Sequence, residues 1–222
     1  KQKRNLMTLD SKRLIRQKEI LKKWVNNNCK GTLEACTGFG KTYTAIIAVQ
    51  KINEQYPDKT ILIVVPTKHL KTQWEAEIKT HFLENTTVVV INSAVKQKKT
   101  CDLLILDEIH NYGSSVFSKI FTLVTYDWIF GLTATLTRKD GRDFIIRDLA
   151  PVIDKVTLTE ALKEGYVSDF KTYNVPLVMT DTYKETYKKL NNDFNYYFAK
   201  FGHDFNIAMQ CLQSDYACKN IA

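Results

Sequence analysis

Residues Ala35-Cys36-Thr37-Gly38-Phe39-Gly40-Lys41-Thr42 fit the phosphate-loop pattern, with alanine at the first position where glycine is usual. Gly38 and Gly40 let the backbone curl so that successive N–H groups, those of Thr37 to Thr42, face an anion. A helix starting at the loop points its positive end at the same place. Lys41 is spaced to reach the β- and γ-phosphates of a nucleotide, and the Thr42 hydroxyl to ligate Mg²⁺, so ATP and Mg²⁺ are the cofactors this chemistry implies. A glycine-containing turn before an ordinary helix is the alternative. It loses ground because an apolar strand precedes the loop and an acidic partner follows downstream.

That partner is Leu103-Leu104-Ile105-Leu106-Asp107-Glu108-Ile109-His110, an apolar strand that runs into two adjacent carboxylates. Asp107 is suited to hold Mg²⁺ through its water shell, and Glu108 to orient or deprotonate an attacking water. Taken alone, an Asp-Glu pair reads better as a solvated turn. In an open α/β sheet, however, ligands bind at the carboxyl ends of strands, and both the loop and the acidic pair occupy such ends.

The elements that position these residues follow from hydropathy. Short apolar runs at 32–37, 60–65, 86–91, 102–106 and 128–133 read as buried strands. Amphipathic segments at 42–54, 68–80 and 115–124 read as helices between them, and an opening helix runs from about Ser11 to Asn27. Strands that are apolar throughout and separated by helices imply an α/β fold with a parallel sheet flanked by helices. Residues 91–102 read as a loop with at most one turn. Residues 151–179 carry short mixed elements. Residues 180–222 read as two helices, with Phe194, Tyr197, Phe198 and Phe201 at helical spacing. That stripe reads as packing against the domain, with a base-stacking platform as the alternative.

At this point the chain resembles the superfamily 2 DExH-box helicases and translocases. Asp107-Glu108-Ile109-His110 resembles their DExH box, which adds His110 to the catalytic set, and Ala35 to Thr42 resembles their motif I. Val65-Pro66-Thr67-Lys68-His69-Leu70 with Gln73-Trp74 resembles motif Ia, which implies nucleic-acid backbone contacts at Thr67 and Lys68. Gly131-Leu132-Thr133-Ala134-Thr135 resembles motif III, which implies that Thr133, Ala134 and Thr135 couple hydrolysis to strand movement. Leu132 to Gly141 and Leu162 to Val167 are similar to the XPB-type branch and its phage relatives of the UvsW group. That similarity favours duplex or branched DNA over RNA.

The resemblance implies a RecA-like lobe over residues 1–179, with a C-terminal helical extension over 180–222 leading to a second RecA-like lobe of the same protein. It also implies adenine contact by Gln17. Three departures accompany it. Arg138-Lys139-Asp140 stands where Arg-Glu-Asp is usual, Arg16 rather than an aromatic residue precedes Gln17, and residues 92–100 match motif Ib poorly.

Composition bounds the rest. The 222 residues are 44% hydrophobic and 25% charged, with a formal net charge of +8, which is compatible with a folded core and a polyanionic partner. Five cysteines, an odd number without a Cys-x-x-Cys pair, argue against a disulfide framework or a zinc site. No apolar run is long enough to span a bilayer and no signal peptide is recognised, so a soluble, intracellular protein without a membrane partner is expected. Motifs IV to VI are not found, and the chain reads as a first-lobe fragment. Two other functions fit these residues: a restriction- or remodelling-type duplex translocase subunit, and a non-enzymatic nucleotide- or DNA-binding module.

Overall fold

Strands that are apolar on both sides have no face to offer water, so each must lie inside a sheet covered by helices on both faces. A computed structural model describes residues 2–137, 141, 143–169, 171, 173, 175, 178–200, 202 and 205, with side chains from residue 11 onward. Arg138-Lys139-Asp140, Phe201 and the second C-terminal helix fall outside these residues. Two compact units divide the chain, 1–170 and 171–222.

The first unit opens with α1 (Gln2–Asn26), β1 (Lys30–Ala35), α2 (Lys41–Gln55), β2 (Ile61–Val65), α3 (Lys68–Thr80) and β3 (Thr86–Val90). Next come α4 (Ile91–Ala94), β4 (Lys99–Thr100) and β5 (Leu103–Asp107). Two 3₁₀ turns (Ile109–Gly113 and Phe117–Lys119) lead to α5 (Ile120–Leu123), β6 (Val124–Thr125) and β7 (Trp128–Thr133). The unit ends with α6 (Asp143–Leu149), β8 (Val152–Val156) and α7 (Leu158–Lys163). Six strands form one sheet in the order β3-β2-β5-β7-β1-β8, and β4 pairs with β6 in a small second sheet. Every pairing is parallel, as crossover connections require.

Period-2 alternation divides the core between the two faces. Leu33, Ile61, Ile63, Leu103, Ile105, Phe130 and Leu132 pack with α1, α2 and Trp74 of α3. Leu62, Val64, Leu104, Leu106 and Ile129 pack with Ile91, Ile109, Tyr112, Ile120 and Ile146 on the other face. Each fully buried aliphatic side chain contributes roughly 1.5–3 kcal/mol, so the sheet is a stiff base for the residues at its rim.

Two expectations are corrected; the turn read in 91–102 and the short mixed elements read in 151–179 are present, each with an added strand. Helix α1 begins near Gln2, well before Ser11. The segment 115–124 is a 3₁₀ turn and one helical turn instead of a full helix. Residues 91–102 hold one helical turn and a two-residue strand. A sixth strand, β8, stands at the sheet edge beside β1. Its Asp154 accepts a bidentate pair from Arg16 at 2.8 and 2.9 Å and a bond from Lys23 at 2.8 Å. Its Lys155 pairs with Glu34 of β1 at 2.9 Å. Burial alone would raise the Asp154 carboxyl, but the Arg16 and Lys23 bonds outweigh it and hold it below its ordinary range.

In the second unit, α8 (Asp181–Lys200) carries the aromatic stripe. Phe194 stacks on Phe198 with ring centroids 5.4 Å apart and meets Phe205 at 5.8 Å.

Candidate active site at the carboxyl rim of the sheet

Parallel strands send their carboxyl ends to one rim. The rim carries the phosphate loop after β1, Thr67 after β2, Asp107 at the end of β5 and Thr133 at the end of β7. The structure therefore gathers the residues read as motifs I, Ia, II and III at one rim of the sheet.

The loop takes the curled form that its glycines permit. Gly38 and Gly40 have φ of 86° and 95°, a left-handed conformation costly for side-chain-bearing residues. Gly40 also caps α2, whose first N–H groups have no intrahelical acceptor and face the loop's concavity. Phe39 is fully buried and forms the hydrophobic root of the loop. Thr37 and Gly38 are exposed, while Gly40, Lys41 and Thr42 are half-buried. The Lys41 ammonium donates to the Ala35 carbonyl at 3.0 Å, which folds it back across the loop.

Gln17 reaches the same loop from α1. It is 2% exposed, and its Nε2 donates to the Gly40 carbonyl at 3.2 Å and more weakly to the Phe39 carbonyl at 3.4 Å. A Cβ at position 40 would lie 2.8 Å from that nitrogen, so a side chain there would also push the Gln17 amide aside, beyond the cost set by the positive φ. Arg16, one residue earlier, turns away to Asp154 and takes no part in the loop.

The acidic turn is held from several sides. Glu108 has a left-handed backbone, φ 50° and ψ 53°, an uncommon conformation for a non-glycine residue. Its carbonyl accepts from Asn111 N–H at 3.0 Å. His110 Nδ1 lies 2.9 Å from the Thr133 hydroxyl and 3.4 Å from a Glu108 oxygen. Thr133 in turn donates to the Thr135 carbonyl at 2.9 Å. That hydroxyl proton being committed, the His110–Thr133 bond needs a proton on Nδ1. Ile109 packs against Gly131, where a Cβ would stand 2.5 Å from Ile109 Cδ1.

Asp107 is nearly buried, and burial is the largest influence raising its carboxyl above the ordinary range. The Trp74 bond lowers it, the Glu108 charge raises it, and the Glu108 N–H and Lys41 charge lower it.

Two residues escaped the sequence reading as contributors to this site. Trp74, noted there within motif Ia only, donates its indole N–H to Asp107 Oδ2 at 2.8 Å. Tyr112, buried, donates to the Val64 carbonyl at 2.7 Å and ties the acidic turn to β2. The usable signal was that buried Trp and Tyr need hydrogen-bond partners, although their identity is a tertiary fact.

Thr67 and Lys68 stand at the neighbouring strand end. The Thr67 hydroxyl accepts from Leu70 N–H at 3.2 Å and caps α3, and Lys68 is exposed. Ala134 is half-buried and Thr135 exposed beyond β7.

Residues 12–101 match the family described as the res subunit of type III restriction enzymes. The chain is 29% identical over 193 residues to the DNA 3'-5' translocase XPB2 of Sulfurisphaera tokodaii, covering 78% of this chain and 42% of that protein. It is 33% identical over 185 residues to a putative ATP-dependent RNA helicase of African swine fever virus, covering 71% of this chain and 35% of that protein. The chain thus spans well under half the length of either relative. The Hef helicase domain of Pyrococcus furiosus shares the fold, with a TM-score of 0.53 at 16% identity over 83% of this chain and 46% of the other. Among the described residues no helix is long and apolar enough to cross a membrane.

Proposed function

We propose that this chain, a first RecA-like lobe of the superfamily 2 DExH-box class, is the ATP- and DNA-binding half of an ATP-dependent DNA helicase or translocase. One observation carries the reading. The phosphate loop after β1, the Asp107-Glu108 turn ending β5 and Thr133 ending β7 stand on one rim of the sheet, with His110 bonded to Thr133.

The work of each residue follows from its place. A polyphosphate seated on the N–H groups of Gly38 and of Gly40 to Thr42 would draw Lys41 from the Ala35 carbonyl onto the β- and γ-oxygens, while the Phe39 N–H stays with the Cys36 carbonyl at 3.3 Å. Gln17 already spends its Nε2 on the loop, so its Oε1 is the atom that would accept from an adenine amino group. Thr42 and Asp107 offer hard oxygen donors, and both Asp107 oxygens keep acceptor capacity after their protein bonds, so the donor set fits Mg²⁺. When bound, that ion supplies neutralisation of the charge on the phosphates. Glu108 would orient the attacking water. His110 links that carboxylate to Thr133, which makes Thr133, Ala134 and Thr135 the route by which β7 senses the nucleotide. Thr67 and Lys68 at the start of α3 would receive a nucleic-acid phosphate.

The reading includes a second RecA-like lobe supplying a finger arginine, with residues 1–179 as the ATP-binding lobe and 180–222 as the segment leading toward its partner. The match to restriction res subunits favours a specific variant, a duplex translocase that moves without separating strands. A strand-displacement assay on the full-length protein distinguishes the two. For the core proposal the test is calorimetry of ATP–Mg²⁺ binding. The wild-type chain should bind and Lys41→Ala should not, with unchanged circular dichroism. Equal affinity in both removes the proposed site.

A further inference from the structure

Helix α3 has one buried side chain, Trp74. Leu70 and Ile78, on the same inner stripe, are only partly buried. The seat of the helix on the sheet therefore depends most on this indole. A buried indole N–H needs an acceptor, and the core offers backbone carbonyls for the purpose. Trp24 uses one, donating to the Ile129 carbonyl at 2.9 Å. Trp74 ends instead on the Asp107 carboxylate at 2.8 Å.

The second Asp107 oxygen accepts the Glu108 N–H at 3.0 Å. Each carboxylate oxygen is thus held by one donor, which fixes the plane of the group and leaves each oxygen room for one more. One donor comes from the acidic turn itself and the other from a different element. Trp74 lies six residues after Lys68, about 9 Å along the helix axis. One short, rigid helix therefore carries the nucleic-acid patch at its first turn and a bond to the metal-side carboxylate in its second.

We propose that Trp74 is a positioning residue that links the seat of α3 to the orientation of Asp107, so that a nucleic-acid phosphate at the start of α3 and Mg²⁺–nucleotide at the phosphate loop favour one another. The inference rests on the roles given to α3 and Asp107 under the proposed function. Linkage makes the effect reciprocal: DNA tightens Mg²⁺–nucleotide binding, and Mg²⁺–nucleotide tightens DNA binding by the same factor.

The test uses the full-length protein with Trp74→Phe, and a second variant in which benzothienylalanine replaces Trp74. The second keeps the bicyclic shape and loses only the N–H, so a packing defect in the first does not decide the outcome. The readout is the Mg²⁺ concentration giving half-saturation in binding of a fluorescent ATP analogue, with and without duplex DNA. In the wild type DNA should lower it. In both variants it should rise about tenfold, the scale of one charge-assisted hydrogen bond, and DNA should no longer lower it. A purely structural role would reduce thermal stability and leave the Mg²⁺ midpoint and its DNA shift within twofold of the wild type, which overturns the proposal. A wild-type protein that binds Mg²⁺–nucleotide without any DNA shift also overturns it. A wild-type protein that does not bind Mg²⁺–nucleotide at all instead removes the functional reading beneath it.

Discussion

Gly131→Ala adds one methyl group where β7 meets the acidic turn, and the structure fixes what that methyl meets. It would stand 2.5 Å from Ile109 Cδ1, 2.7 Å from Thr32 Oγ1 and 3.2 Å from Ile109 Cγ2. Thr32 cannot yield freely, because its hydroxyl donates to the Ala150 carbonyl at 2.7 Å. Ile109 is fully buried and next in sequence to Glu108. Gly131 is not among the glycines with positive φ, so alanine brings no backbone strain and gains roughly 0.4–1 kcal/mol by restricting the unfolded chain. Overpacking opposes this with about 1–3 kcal/mol. The net expectation is a destabilisation of about 1–2 kcal/mol, together with weaker nucleotide binding as Ile109 pushes the acidic turn outward. Urea denaturation of the chain, followed by circular dichroism, measures it. Ile109→Val removes the Cδ1 atom and alone costs about 1 kcal/mol. The double variant should be more stable than the sum of the two losses by about 1 kcal/mol, since the sites touch. Wild-type stability in Gly131→Ala, or strict additivity in the pair, would refute this packing argument.

The two carboxylates should separate in kinetics. Glu108→Gln in the full-length protein is expected to bind ATP–Mg²⁺ normally and hydrolyse it at least about a hundredfold more slowly, whereas Asp107→Asn should weaken the Mg²⁺ dependence of binding; near-normal turnover in Glu108→Gln would assign the water to another residue. At the opposite rim of the sheet, Lys59 and Thr60 bond to Asp102 and hold its carboxyl down at about 2. A depressed folded value contributes stability that is complete above the ordinary carboxylate range and is lost as pH falls from near 4 through about 2. Urea midpoints taken down that range should fall more steeply in the wild type than in Asp102→Asn, and parallel curves would contradict the assignment.

The site was legible because its residue types are tied to short, fixed spacings. A Gly-x-Gly-Lys-Thr run after an apolar strand and an Asp-Glu pair ending another need no tertiary information. Strands β2, β5 and β7 were legible because each is apolar on both sides. Strand β8 was not, since Asp154 and Lys155 break its apolar run, and only their partners Arg16, Lys23 and Glu34 explain why charge is tolerated there. The 115–124 segment has helical periodicity, yet its chain returns to β6 at Val124 after a single helical turn. The Trp74–Asp107 bond spans 33 positions in sequence, and no local pattern encodes it. Arg16 stands in a motif position by sequence and serves the sheet edge in space.

We propose that nucleic acid held on this lobe stimulates nucleotide hydrolysis at the same rim. The most direct test is ATP turnover by the full-length protein, with and without duplex DNA, in the wild type and in Lys41→Ala. DNA should accelerate turnover, and Lys41→Ala should abolish both rates. On the proposal that a second lobe supplies a finger arginine, worth about a thousandfold or more, residues 1–222 alone should show little DNA-stimulated turnover. Turnover in the full-length wild type that ignores DNA, or DNA-stimulated turnover that survives Lys41→Ala, would contradict it.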